Sequence, residues 1–142
     1  MPGEWVVDAS LIAAVLFEET HSRVARGFLA EGLESSATMI APDLLALELA
    51  SIAAKKVWLE VASVADGAAA IDATLRLVER PVATADLAQR AFTLASAHRF
   101  SAYDATYLAL AERRSCRMAT LDSRLIRRAD QEGYGHLLHP VA

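Results

Sequence analysis

Short apolar runs alternate along the chain with longer stretches in which apolar residues recur every three to four positions. Trp5-Val6-Val7-Asp8 has the make-up of a buried strand, and Ser10 to Phe17 then reads as a helix with Asp8 or Ser10 near its cap. His21 to Gly32 reads as a second helix with Val24, Phe28 and Leu29 inward, followed by a loop to Ser36. Thr38 to Ala41 reads as a strand ended by Pro42, and Asp43 starts a helix that runs to about Lys56. An Ala-rich helix covers roughly Glu60 to Val78, with Gly67 as its weak point. Glu79 to Ala83 fits a short edge strand, because an edge tolerates Pro81. Thr84 caps a helix to about Arg99, and Ser101 caps another to about Ser115. Arg117 to Leu121 is the next strand and Asp122 to Glu132 the next helix. Gly133 breaks that helix, and His136 to His139 makes a final short strand.

Strands alternating with helices predict an α/β fold, a parallel sheet with helices on both faces. Right-handed crossovers follow from the general rule. In such folds ligands gather beyond the carboxyl ends of the strands, near a topological switch point. Asp8 and Asp122 both fall at such ends. No repeat, linker or low-complexity segment interrupts the 142 residues, so 1–142 is read as one domain, long enough for a full core. A hydrophobic share of 54% against 23% charged residues excludes a disordered chain.

The net charge of -4 removes the bulk electrostatic signature of a nucleic-acid binder. Any nucleic-acid site must therefore rest on local basic patches or on metal ions that reverse the sign of an acidic pocket. The single cysteine, Cys116, forbids an intramolecular disulfide and a thiolate zinc site. Together with an N-terminus that lacks a basic region and apolar stretches too short to span a bilayer, it implies a cytoplasmic protein with no membrane role.

The candidate chemistry lies in four acids. Asp8 ends the first strand and Asp122 follows the strand near Met118. Glu48 shares a helix face with Leu45, Leu49 and Ile52, and Asp104 shares one with Tyr107, Leu108 and Ala111. Taken singly, none of the four is a strong signal. Asp8 and Asp122 fit helix caps, Asp104 fits a first-turn acid after Ser101, and Glu48 lies too far from Lys55 and Lys56 for an i,i+4 pair. The conjunction is harder to dismiss, because two carboxylates about 4 Å apart repel by roughly 4 kcal/mol at an effective dielectric near 20. Such a cluster holds protons or binds a cation, and all-oxygen donors point to Mg²⁺ or Mn²⁺.

At these residues the chain resembles the PIN-domain ribonucleases, specifically the VapC-type toxins of type II toxin–antitoxin pairs. The resemblance runs from about Trp5 to His139 and is carried by Val7-Asp8-Ala9-Ser10, the Glu48 helix, the continuous run from Ser101 to Ala111, and Thr120-Leu121-Asp122. It implies a three-layer α/β/α domain with a five-stranded parallel sheet in the order 3-2-1-4-5. It implies that Asp8, Glu48, Asp104 and Asp122 form a catalytic Mg²⁺ site supported by Ser10 and Thr120. It further implies Mg²⁺-dependent endoribonuclease activity, a homodimer and inhibition by a VapB-like antitoxin. The apolar excess of Leu11, Ile12, Val15, Leu16 and Trp58 is expected to form the antitoxin's groove. The RNA path is assigned to Lys55, Lys56, Arg113 and Arg114, with Arg124, Arg127 and Arg128 as a further set. A solvated helix face is the alternative for each.

Two other readings are a catalytically silent PIN-like module that binds RNA or protein, and a phosphatase of the haloacid-dehalogenase type. The phosphatase requires a second Asp where this chain has Ser10. Serine hydrolysis lacks a G-x-S-x-G, and His21, His98, His136 and His139 form no H-E-x-x-H.

Overall fold

A computed structural model describes residues 3–78 and 80–142. Four parallel strands form one sheet: β1 (Glu4–Val7), β2 (Thr38–Ile40), β3 (Arg117–Thr120) and β4 (Leu138–Pro140), in the spatial order β2-β1-β3-β4. Among the described residues seven helices flank it: α1 (Ala9–Leu16), α2 (Ser22–Glu34), α3 (Leu45–Trp58), α4 (Val64–Leu77), α5 (Thr84–His98), α6 (Ala102–Arg114) and α7 (Ser123–Gln131). A 3-10 turn at Gly135–Leu137 takes up the start of the expected last strand, and positive φ at Gly133 lets the chain leave α7.

The sheet corrects one expectation. Among the described residues four strands stand where five in the order 3-2-1-4-5 were expected. At the expected third strand, 79–83, Glu79 lies outside the described residues, and the pairing among the described ones is a single parallel bridge, Pro42 to Val82. Two prolines account for this, since neither Pro42 nor Pro81 has an N–H to extend a ladder. The segment is secured by backbone bonds instead, from Val82 N to Ala41 O and from Asp43 N to Val82 O, while the Asp43 carboxylate accepts from Thr84 N.

β1 and β3 run side by side at the centre, with Val6 opposite Met118 and Val7 opposite Ala119; these four residues are fully buried. The chain leaves β1 toward β2 and leaves β3 toward β4, on opposite sides, so the crevice between their carboxyl ends is the switch point. α6 packs on β1, β3 and α5, and it is buried without interruption from Ala105 to Ala111. A helix that is apolar on every side has to be central. That is why the segment around Asp104 carries so little polar surface.

Local packing explains two further departures. On α2, Val24 is exposed; the inward row is Ser22, Ala25 and Gly32, with Phe28 and Leu29 half-buried. Small residues let this helix approach closely, and a Cβ on Gly32 would lie 2.6 Å from the methyl of Met39. α4 begins at Val64 rather than near Glu60, because Ser63 and Asp66 form a reciprocal capping box. Gly67 sits buried where α4 crosses α3, with Ala53 beside it.

Candidate active site

Register brings Asp8 and Thr120 together. Asp8 follows Val7, which pairs with Ala119, so the next residue on each strand faces the other across the crevice. The Thr120 hydroxyl donates to Asp8 Oδ2, while Oδ1 accepts from the Ser10 hydroxyl at 2.8 Å and from Leu11 N at 3.0 Å. Each hydroxyl also accepts a backbone N–H, Ser10 from Leu121 and Thr120 from Asp122. The protons of Ser10 and Thr120 are both committed to Asp8, so their own 3.4 Å approach is a contact between two acceptors. Ser10 and Thr120 thus both hold Asp8 by their hydroxyls.

Asp8 is only 6% exposed, and no ion pair reaches it among the described residues. Burial pushes its pKa up to about 6 against the hydrogen bonds from Thr120, Leu11 and Ser10, and the charge of Asp122 adds to the rise. As the cap of α1 it does what an ordinary Asp does there. A cap, however, does not require the carboxylate to be sealed beneath two hydroxyls next to other acids.

Glu48, on α3, accepts a 2.6 Å bond from the Tyr107 hydroxyl of α6. Burial raises its pKa first, and Asp8 and Asp104 add to the rise. The Tyr107 hydroxyl is held far above the usual phenol range by burial and by Glu48, so it stays a donor. Asp104 sits in the first turn of α6, where Ser101 accepts its backbone N–H at 3.0 Å. Its carboxylate does not accept from the Ser101 N–H, so no reciprocal capping box closes here. Burial and then Asp122 raise the Asp104 pKa, while Ser101 and Arg124 pull it back. Asp122 caps α7 by accepting from Arg124 N and Leu125 N, both at 3.1 Å.

Repulsion therefore links Asp8 to Asp122 and to Glu48, and Asp104 to Glu48 and to Asp122. The four acids lie around the switch point, and none of them is in an ion pair among the described residues. The donor set is that of a hard cation: carboxylate oxygens, none of them in an ion pair among the described residues, and one member buried. Among the described residues no three His, Cys, Asp or Glu side chains are drawn together as a finished ligand cluster.

The basic residues assigned to the RNA path lie in separate places. Arg113 and Arg114 lie at the far end of α6, about 15 Å along the helix from Asp104. Arg114 is paired with Glu4, and Arg113 reaches the Asp86 carbonyl. Lys56 is paired with Glu19 at 2.8 Å and lies over the Phe17 ring, while Lys55 is exposed. An open cleft of about 490 Å³ instead places Arg99, Arg124, Arg127 and Arg128 beside Asp104 and Asp122. Arg99 was missed, since it lies in the α5–α6 connection with no helical spacing to mark it. Tyr107 was read only as a member of an apolar stripe.

Of the residues assigned to a partner groove, Leu11 and Ile12 belong to the core, Val15 and Leu16 are half-buried, and Trp58 is 77% exposed. His139, half-buried, packs against Trp5 and Phe28. No helix among the described residues is long and apolar enough to cross a membrane.

The family model described as PIN domain matches residues 5–131. The crystal structure of PAE2754 from Pyrobaculum aerophilum is similar in fold, with a TM-score of 0.65 at 20% identity, over 90% of this chain and 87% of that one. No curated protein matches the chain.

Proposed function

Because the chain belongs to the PIN domain family, whose members are typically nucleases using divalent metals, we propose that it is a Mg²⁺- or Mn²⁺-dependent endoribonuclease. The observation that carries this is the gathering of four acids at the switch point, none of them in an ion pair among the described residues. In this reading Asp8, Glu48, Asp104 and Asp122 hold the cation. When bound, it supplies a water of lowered pKa and neutralises charge on the phosphodiester. The chain's own work is orientation. Ser10, Thr120 and Leu11 N fix both oxygens of Asp8, Tyr107 fixes Glu48, and Asp104 and Asp122 face the open cleft where a strand has room to enter.

Purified protein incubated with total RNA tests this directly. Cleavage is expected with Mg²⁺ or Mn²⁺, to cease in EDTA, and to leave 3′-hydroxyl and 5′-phosphate ends. Cleavage that persists in EDTA, or 2′,3′-cyclic phosphate ends, contradicts it, because the latter arise from attack by the RNA's own 2′-hydroxyl.

The finer role we propose is that of a toxin in a toxin–antitoxin pair, a homodimer held inactive by a VapB-like antitoxin. Its support is the resemblance of Ser101 to Ala111 and the order of the other motifs. A small adjacent reading frame whose product co-purifies with the chain and abolishes cleavage is the expected finding. Growth unaffected by induction of the chain alone contradicts the role.

A further inference from the structure

Four of the chain's cations gather in one place. Arg99 ends α5, in a left-handed conformation that turns the chain toward α6, and Arg124, Arg127 and Arg128 project from the first turns of α7. All four are exposed and line the same cleft as Asp104 and Asp122. Four cations elsewhere are in ion pairs: Arg26 with Glu18, Lys56 with Glu19, Arg90 with Glu112 and Arg114 with Glu4. Among the described residues, none of the four cleft arginines is in an ion pair or a side-chain hydrogen bond. In a chain with a net charge of -4, such a group is a local reversal of sign.

The lining also says what kind of ligand the cleft suits. Its aromatic residue, Phe100, is 6% exposed, and its leucine, Leu125, is 3% exposed, so neither offers a ring or an apolar face to a base. What it offers is guanidinium, the side chain whose planar fork matches phosphate oxygens. Arg124 and Arg128 are one helical turn apart, about 6 Å along α7, and Arg127 lies between them. The acids stand at one border of this row. Arg124 is close enough to Asp104 to lower its pKa in part.

We propose that this cleft is the track for the RNA backbone beside the scissile phosphate, with Arg99, Arg124, Arg127 and Arg128 holding consecutive phosphates without regard to base. The proposal rests on the nuclease reading and adds to it where the strand lies and what selects it. Phosphate contacts position a strand and carry no sequence information.

The test uses the full chain carrying Asp8→Asn, so that bound RNA is not consumed, with short oligouridylate and oligoadenylate as probes at several salt concentrations. Adding Arg124→Gln, Arg127→Gln and Arg128→Gln should weaken binding of both probes alike. It should also flatten the plot of log affinity against log salt by about 2, because each phosphate of a single strand that is no longer neutralised removes about 0.7 from the slope. The corresponding Arg→Lys set should retain most of the slope, and Arg113→Gln with Arg114→Gln should leave it unchanged. A thermal melt matching that of the Asp8→Asn chain shows the triple variant is folded. If the wild type cleaves RNA while the triple Gln set keeps the full slope, the track lies elsewhere and the nuclease reading stands. Absence of both binding and cleavage overturns the two together.

Discussion

Replacing Asp8 by Asn in the absence of metal tests whether the buried acid is a liability that the fold tolerates for function. In the folded protein the Asp8 pKa is raised from 3.8 to about 6, chiefly by burial. Between those values the folded state holds a proton that the unfolded chain has released, so stability falls as pH rises. The penalty is absent well below pH 4 and complete above about pH 7, where the shift corresponds to roughly 3 kcal/mol. Asn carries no such penalty but loses in geometry. Its oxygen keeps Leu11 N and Ser10, whereas its amide replaces the oxygen that accepted from Thr120. The Thr120 proton must then turn away, toward an acceptor such as Ser10 Oγ at 3.4 Å, at a cost of about 1 kcal/mol. In EDTA the variant should therefore be the more stable by about 2 kcal/mol near pH 8, and the less stable one below a crossing at about pH 4.5. Urea unfolding across pH measures both limbs. Saturating Mn²⁺ should reverse the order at pH 8, since mass action then favours the wild type. A difference that does not vary with pH, or an Asn variant weaker than wild type at pH 8 in EDTA, refutes the reasoning.

Three other substitutions have expected outcomes. Tyr107→Phe removes the donor that holds Glu48 and should cost about 1 kcal/mol in urea unfolding while weakening Mn²⁺ binding; unchanged metal affinity would show that this hydrogen bond does not orient Glu48. Asp122→Asn should keep the α7 cap and relieve the repulsion on Asp8 and Asp104, whereas Asp122→Ala should lose the cap at about 1 kcal/mol, so Asn should be the more stable of the two in EDTA. Gly67→Ala should raise stability by about 0.5–1 kcal/mol in thermal unfolding, since the added Cβ meets Ala53 at an ordinary 3.5 Å inside a helix; a loss would mean that the α3–α4 crossing has no room.

The four acids were legible because each breaks an apolar pattern, and a broken pattern is visible residue by residue. Glu48 and Asp104 sit on stripes in which Leu45, Leu49, Tyr107 and Leu108 are buried and Ile52 is half-buried. The caps were legible for the same reason at Ser101 and Asp122, where an oxygen-bearing side chain precedes an apolar or helical run. The third strand was not, because pairing is a property of two segments and the prolines at 42 and 81 act together. Val24 was placed inward by its own hydrophobicity, whereas α2 turns Ser22, Ala25 and Gly32 to its neighbours so that it can approach closely. The arginine cleft is assembled from the end of α5 and the face of α7, and nothing in local spacing joins Arg99 to Arg124. Tyr107 and Glu48 are separated by 59 positions, so their hydrogen bond appears only once α3 and α6 are packed.

The central claim is that Asp8, Glu48, Asp104 and Asp122 act as one hard-cation site. Titration calorimetry of Mn²⁺ into the wild type and into Asp8→Asn, Glu48→Gln and Asp104→Asn, at a pH above the raised carboxyl values, tests it most directly. One saturable site in the wild type, abolished or severely weakened in each variant while its thermal unfolding in EDTA stays cooperative, is the expected result. Equal Mn²⁺ affinity in the wild type and all three variants would contradict the account.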